Sequence, residues 1–115
     1  MAAIRLIPKT DESEFPYDAA LKLIQSLPDV MLRPQDFTQM IATGKRIGWP
    51  EVMIRSHEEM AARGKCFQFR WDGYPALSGS LFEDNVFFSI IDDEQATLEF
   101  INAWATKLDV RVFRH

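Results

Sequence analysis

The chain has 115 residues, 47% of them hydrophobic and 26% charged, which predicts a single globular domain over residues 1–115 and argues against disorder or two domains. No apolar run approaches the roughly 20 residues of a membrane helix. The start Met1-Ala2-Ala3-Ile4-Arg5 lacks the features of a secretory signal, and a lone cysteine, Cys66, leaves no internal disulfide, so the expected location is the cytoplasm. Thirteen basic against 17 acidic residues give a net charge of -4 and no general attraction to phosphate backbones. Nucleic-acid binding would need a local basic patch, and Lys45-Arg46 and Arg111/Arg114 are small and separated, so neither nucleic acid nor membrane is expected as a partner.

Ala3 to Ile7 reads as an edge or N-terminal strand stopped by Pro8. An acidic loop, Thr10 to Glu14, precedes Pro16, which suits a first helical turn; Tyr17, Ala20, Leu21, Ile24 and Leu27 then recur at helical spacing until Pro28. After a loop, Pro34 is read as the opener of a second helix with Phe37, Met40 and Ile41 on one face and Gly44 as its stop. From Trp49-Pro50 the spacing of Trp49, Val52, Met53, Ser56 and Met60 favours a helix through Ala62. Val52-Met53-Ile54 alone would fit a strand, and Ser56-His57-Glu58-Glu59 has the capping-box pattern of a shorter helix. Gly64 ends either version.

The segment Cys66 to Ile91 is a β-meander. Aromatics alternate in Cys66-Phe67-Gln68-Phe69-Arg70-Trp71, Asp72-Gly73 supplies a dipeptide that tolerates positive φ in a hairpin turn, and Ala76 to Phe82 leads to a polar turn at Glu83-Asp84-Asn85 before Val86 to Ile91. Asp92 followed by Gln95 has an N-cap signature for a helix with Leu98, Ile101, Ala105 and Leu108 in a stripe, flanked by Phe100 and Trp104. Val110 to Phe113 is the last strand. The fold class expected is α+β: a largely antiparallel sheet of four or five strands, with the meander at its centre, packed against three or four helices that cover one face.

Strand 86 to 91 is apolar on both sides, so it is either central or meets a partner. Its neighbours place Gln68 and Arg70, then Ser78, Gly79 and Ser80, opposite or beside the core aromatics, which suggests a mixed second face that also holds Phe87. Gly79 is expected to mark a bulge or a close backbone approach.

No catalytic constellation emerges, and a binding protein is favoured over an enzyme. Cys66 is the single candidate thiol nucleophile, but neither His57 nor His115 is tied to it by a local signature, and a small buried residue beginning a strand is the stronger reading. Two histidines and one cysteine have none of the paired spacings of a zinc site, and the acidic clusters Asp92-Asp93-Glu94, Glu83-Asp84 and Asp11-Glu12-Glu14 lack a calcium-loop pattern, so no metal or cofactor is expected. Turns and helix N-termini account for those acids. Trp49, Trp71 and Tyr74 lie beside predicted turns, and exposed aromatics near acidic loops have the composition of a protein-binding patch.

A mildly acidic α+β domain without catalytic residues, with the hairpin Leu77-Ser78-Gly79-Ser80-Leu81 to Val86-Phe87-Phe88-Ser89-Ile90 followed by an acid-capped helix, resembles the small cytoplasmic immunity proteins that bacteria keep beside polymorphic toxins. The resemblance implies a stoichiometric inhibitor that binds a toxin or another enzyme and occludes its active site, with Trp71, Tyr74, Glu83, Asp84, Asp92 and Asp93 as contacts and acidic groups suited to a basic cleft. The alternative is a small-molecule-binding or enzymatic domain using the mixed sheet face, with Arg70 anchoring an anionic group and Gln68, Ser78 and Ser80 orienting it. A third reading is a homodimer joined through strand 86 to 91.

Overall fold

The computed structural model describes residues 3–114. The alternating aromatics form the expected meander, β3 (Phe67–Trp71), β4 (Leu77–Leu81) and β5 (Val86–Ile90), and around it lie β1 (Ala3–Ile7), α1 (Tyr17–Gln25), β2 (Met31–Pro34), α2 (Phe37–Ile47), α3 (Glu51–Arg63), α4 (Glu94–Leu108) and β6 (Arg111–Arg114). All strand pairs are antiparallel, in the order β2-β3-β4-β5-β1-β6. The fold is therefore α+β, with four helices and six strands among the described residues. No helix among them is long and apolar enough to cross a membrane.

One strand more is present than expected. β2 is a four-residue edge strand, mostly exposed, ending in Pro34, so it carries little alternation and a residue that read as a helix opener. Pro is tolerated there because an edge strand need not donate on its outer side. The opener of α2 is instead Asp36, whose side chain accepts from the Thr38 amide at 2.9 Å. β1 is not an edge strand: it lies between β5 and β6, and α4 carries the chain over from β5 to β6 with β1 between them.

Helices α1 and α4 cover one face of the sheet. The core between them joins Ile4 and Leu6, Phe69, Leu77 and Leu81, Val86 and Phe88 to Ala20, Ile24, Ile101 and Trp104, all buried. Phe69 and Phe88 meet edge to face at 5.6 Å above Gly79 on the strand between them. A Cβ at Gly79 would overlap the Phe87 carbonyl oxygen and crowd the Phe69 ring, so the glycine marks a close approach; the register runs through it one for one, without a bulge. Of the stripe expected on α4, Ile101, Ala105 and Leu108 are buried and Leu98 is partly buried, but the helix cap is Asp93, which accepts from the Ala96 amide at 3.0 Å, rather than Asp92.

Helices α2 and α3 form a hairpin that packs chiefly on itself. α3 runs unbroken from Pro50 to Gly64, so neither the strand nor the shorter capped helix occurs. Gly44 does not stop α2: the helix continues to Ile47 and closes at Gly48, at φ 85°. Gly44 is instead the seat of Trp49, whose ring occupies the space a Cβ would take, while the Trp49 amide donates to the Gly44 carbonyl at 2.9 Å. Gly73 has a comparable role. It does not adopt the positive φ expected of it, and the Trp71 ring lies against it within a loop whose Tyr74–Pro75 peptide is cis.

Candidate functional site

The side of the sheet away from α1 and α4 is open. Register places Met31 and Arg33 of β2, Gln68 and Arg70 of β3, and Ser78 and Ser80 of β4 on it. Phe87 and Ser89 of β5, Ala3, Arg5 and Ile7 of β1, and Arg111 and Phe113 of β6 complete the face. The serines of β4 are small and their neighbours are long, so the strand floors a trough of about 380 Å³ between Gln68 and Arg70 on one side and Phe87 on the other. The four residues of the ligand reading, Gln68, Arg70, Ser78 and Ser80, all line it, with Gln68 opposite Ser80 and Arg70 opposite Ser78.

Charge on this face is one-sided. Its outward strand positions hold four arginines, Arg5, Arg33, Arg70 and Arg111, and no aspartate or glutamate. The remainder of the chain then carries nine basic against 17 acidic residues. Arg70 Nε donates to Asp72 Oδ1 at 3.0 Å at the end of β3, and both groups are well exposed, so the pair is worth little and can exchange for another anion. Arg5 Nη1 donates to Asn85 Oδ1 at 2.7 Å, and its guanidinium lies 4.9 Å from the Phe87 ring centroid. Arg111 Nε donates to the Pro8 carbonyl at 3.1 Å. Arg33 Nη2 donates to Met31 Sδ at 3.0 Å, so all four are held by their neighbours.

The six residues of the inhibitor reading do not form one patch. Trp71, Tyr74, Asp92 and Asp93 gather where β3 ends and α4 begins, whereas Glu83 and Asp84 sit in the β4–β5 turn, the length of β4 away, roughly 17 Å. Several already have structural work. Trp71 packs on Phe100 and donates its Nε1 hydrogen to the Pro28 carbonyl at 3.1 Å; Glu83 pairs with Arg63 at 3.0 Å; Asp93 caps α4. Tyr74 is the exception at 71% exposed, its hydroxyl donating to Asp93 Oδ2 at 2.6 Å. The Ala96 amide and the Tyr74 hydroxyl hold the Asp93 carboxyl below the usual carboxylate range, and that same hydrogen bond raises the Tyr74 phenol.

A concavity of about 840 Å³ lies at the Glu83 end, between the β4–β5 turn, the start of α1 and the second half of α3. Within it Arg63 pairs with Glu83 at 3.0 Å, and Lys65 Nζ stands 5.4 Å from the Tyr17 ring centroid. Cys66 at its edge is buried. Burial pushes the thiol pKa up, with Glu83 and Asp84 acting in the same direction, which is the reverse of an activated nucleophile. His57 is occupied elsewhere, its Nδ1 hydrogen donated to the Met53 carbonyl at 2.8 Å and its ring 5.2 Å from that of Trp49; His115 lies outside the described residues. Among the described residues no group of three metal-ligating side chains converges.

Compared with protein-family models, with curated proteins and with solved structures, the chain matches none of them. Function has to be read from the chain's own geometry. Sequence patterning flagged the mixed face but missed Arg5, Arg33 and Arg111 as members of it, because they come from strands far apart in sequence whose register was not readable.

Proposed function

We propose that this chain is a binding module that recognises an anionic group on the open face of its sheet, with Arg70 as the anchoring cation and Gln68, Ser78 and Ser80 as orienting groups. One observation supports this above the rest: four arginines and no acid on the outward strand positions of a chain whose net charge is -4. Guanidinium groups bind carboxylate and phosphate oxygens through two parallel hydrogen bonds, and hydroxyl and amide groups beside them fix the ligand's orientation. The acidic remainder confines an anion to this side.

Retention on a sulfonated matrix at neutral pH is a direct test, since a net-negative protein is held there only through a local cationic face. Retention should weaken on Arg70→Ala and on Arg33→Ala, and should persist when Glu83 and Asp84 are changed to Gln and Asn. Elution in the void volume would overturn the reading.

A second reading, inhibition of an enzyme with a basic cleft in the manner of immunity proteins, is favoured by the exposed Tyr74 ring beside Asp92 and Asp93. In that case Tyr74→Ala would abolish binding to the enzyme while leaving matrix retention intact.

A further inference from the structure

We infer that the anion taken by the open face is a single-stranded nucleic acid, a step that rests on the anion-binding reading above and reverses the expectation from sequence, because register gathers Arg5, Arg33, Arg70 and Arg111 into the basic patch that Lys45-Arg46 and Arg111/Arg114 do not make. Width is the first argument. From Arg33 on β2 to Arg111 on β6 the face crosses the whole sheet, roughly 24 Å between the outer strands. A compact anion touches one or two guanidinium groups, whereas a polyanion laid across the strands reaches all four.

The second argument is how aromatic rings fall among the cations. Register aligns Arg33, Gln68, Ser80, Phe87, Arg5 and Phe113 in one row across the strands. Phe87 and Phe113 therefore flank Arg5, with the guanidinium over the Phe87 ring and the Phe113 ring 47% exposed at the rim. Rings and guanidinium planes at the level of a flat sheet are platforms for unpaired bases, and each base stacked adds affinity without demanding a particular sequence. Gln68, Ser78 and Ser80 supply donors and acceptors for base edges and sugar hydroxyls. A duplex has its bases stacked inside and would offer this flat face only its backbone. An acidic polypeptide would pair with the arginines but gain nothing from the aromatic rings beside them.

Binding is read by fluorescence anisotropy with labelled oligo(dT) and oligo(U) of about eight nucleotides, inside the range of about 4–16 nucleotides covered by known single-strand binding folds. A duplex of the same length and polyglutamate serve as competitors. The expected result is single-strand binding whose log affinity falls with log salt at a slope of about -2 to -3, as neutralisation of four phosphates requires. Arg33→Gln should flatten that slope by about 0.7. Phe113→Ala, at an edge position, should lower affinity about tenfold and leave the slope alone; circular dichroism and thermal unfolding of both variants show whether the fold is kept. Equal binding of the duplex, affinity unchanged in Phe113→Ala and in Phe87→Leu, or binding of polyglutamate without oligonucleotide would each overturn the nucleic-acid assignment while leaving the anion-binding reading standing. No binding of any polyanion, together with no matrix retention, would overturn both.

Discussion

The Arg5 guanidinium lies 4.9 Å from the centroid of the Phe87 ring on the neighbouring strand while one of its nitrogens donates to Asn85 at 2.7 Å. One side chain therefore covers an aromatic ring at the middle of the open face and ties β1 to the β4–β5 turn. Arg5→Gln is expected to remove both, at a cost of about 1–2 kcal/mol in folding free energy, the sum of a partly exposed cation–π contact and one hydrogen bond. Arg5→Lys should recover part of it. The urea midpoint of each variant measures the effect; equal midpoints in wild type and Arg5→Gln would show that Arg5 is not holding the sheet.

At Gly79 the backbone of β5 comes so close that any side chain would overlap the Phe87 carbonyl oxygen, and the Phe69 ring stands 3.1 Å from the same point. Neither neighbour can yield cheaply, since one is main chain and the other is wedged against Phe88. Gly79→Ala should destabilise the fold by about 3 kcal/mol or more. Ser78→Ala, one position away on the open face, should stay within about 0.5 kcal/mol. Thermal unfolding distinguishes them, and equal stabilities would mean that β4 and β5 can separate slightly without loss.

These two positions also show what was legible in the sequence. The alternation of Phe67, Phe69 and Trp71 against Gln68 and Arg70 is a local property, so β3 and its two sides could be read directly, and Gly79 stood out because glycine in a strand needs a packing reason. β2 could not be read: four mostly exposed residues ending in Pro34 carry almost no periodicity, and pairing with β3 is what makes them a strand. Gly44 misled because a glycine in a helix looks like a stop unless the ring that needs the space is known. The basic face was hidden for a different reason. Arg5, Arg33, Arg70 and Arg111 each sit alone in sequence, and the strand order that gathers them depends on long-range pairing.

Trp49 lies on Gly44, and its ring is also 5.2 Å from that of His57, so this aromatic side chain helps to close the α2–α3 hairpin, together with Phe37, whose ring meets His57 at 6.2 Å. Gly44→Ala should displace the ring at a cost of about 1–3 kcal/mol. The hairpin packs mainly on itself, so the loss should be local. Hydrogen exchange is expected to speed up across residues 37–63 with little change in β1, β4 and β5. Uniform acceleration over the whole chain would show instead that hairpin and sheet unfold as one unit.

The Cys66 thiol is pushed up by burial, and Glu83 and Asp84 add to the shift. At neutral pH it should be protonated and shielded, reacting with a disulfide reagent at least about tenfold more slowly than the same thiol in urea. Glu83→Gln with Asp84→Asn should lower the thiol pKa and speed the native reaction modestly. Fast native labelling would point to an accessible thiolate and reopen the large cleft as a chemical site.

Asp93 and Tyr74 set a pH dependence with two limbs. The Asp93 carboxyl is held low by the Ala96 amide and then by the Tyr74 hydroxyl, so its stabilising effect is full above the ordinary value of 3.8 and is lost as pH falls through the lower folded value. The Tyr74 phenol is raised by its hydrogen bond to Asp93, so its contribution is full below its ordinary value of 10.0 and is lost as pH rises through the higher folded value. Asp93→Asn keeps an effective N-cap but no longer titrates, so it should leave the helix cap largely intact at pH 7 and flatten the acid limb. Tyr74→Phe should remove the alkaline limb and, because the Ala96 amide supports the Asp93 carboxylate more than the hydroxyl does, leave most of the acid limb in place. Urea unfolding across the pH range separates these outcomes. If Tyr74→Phe erased the acid limb as fully as Asp93→Asn, the hydroxyl rather than the helix amide would be the main support of the Asp93 carboxylate.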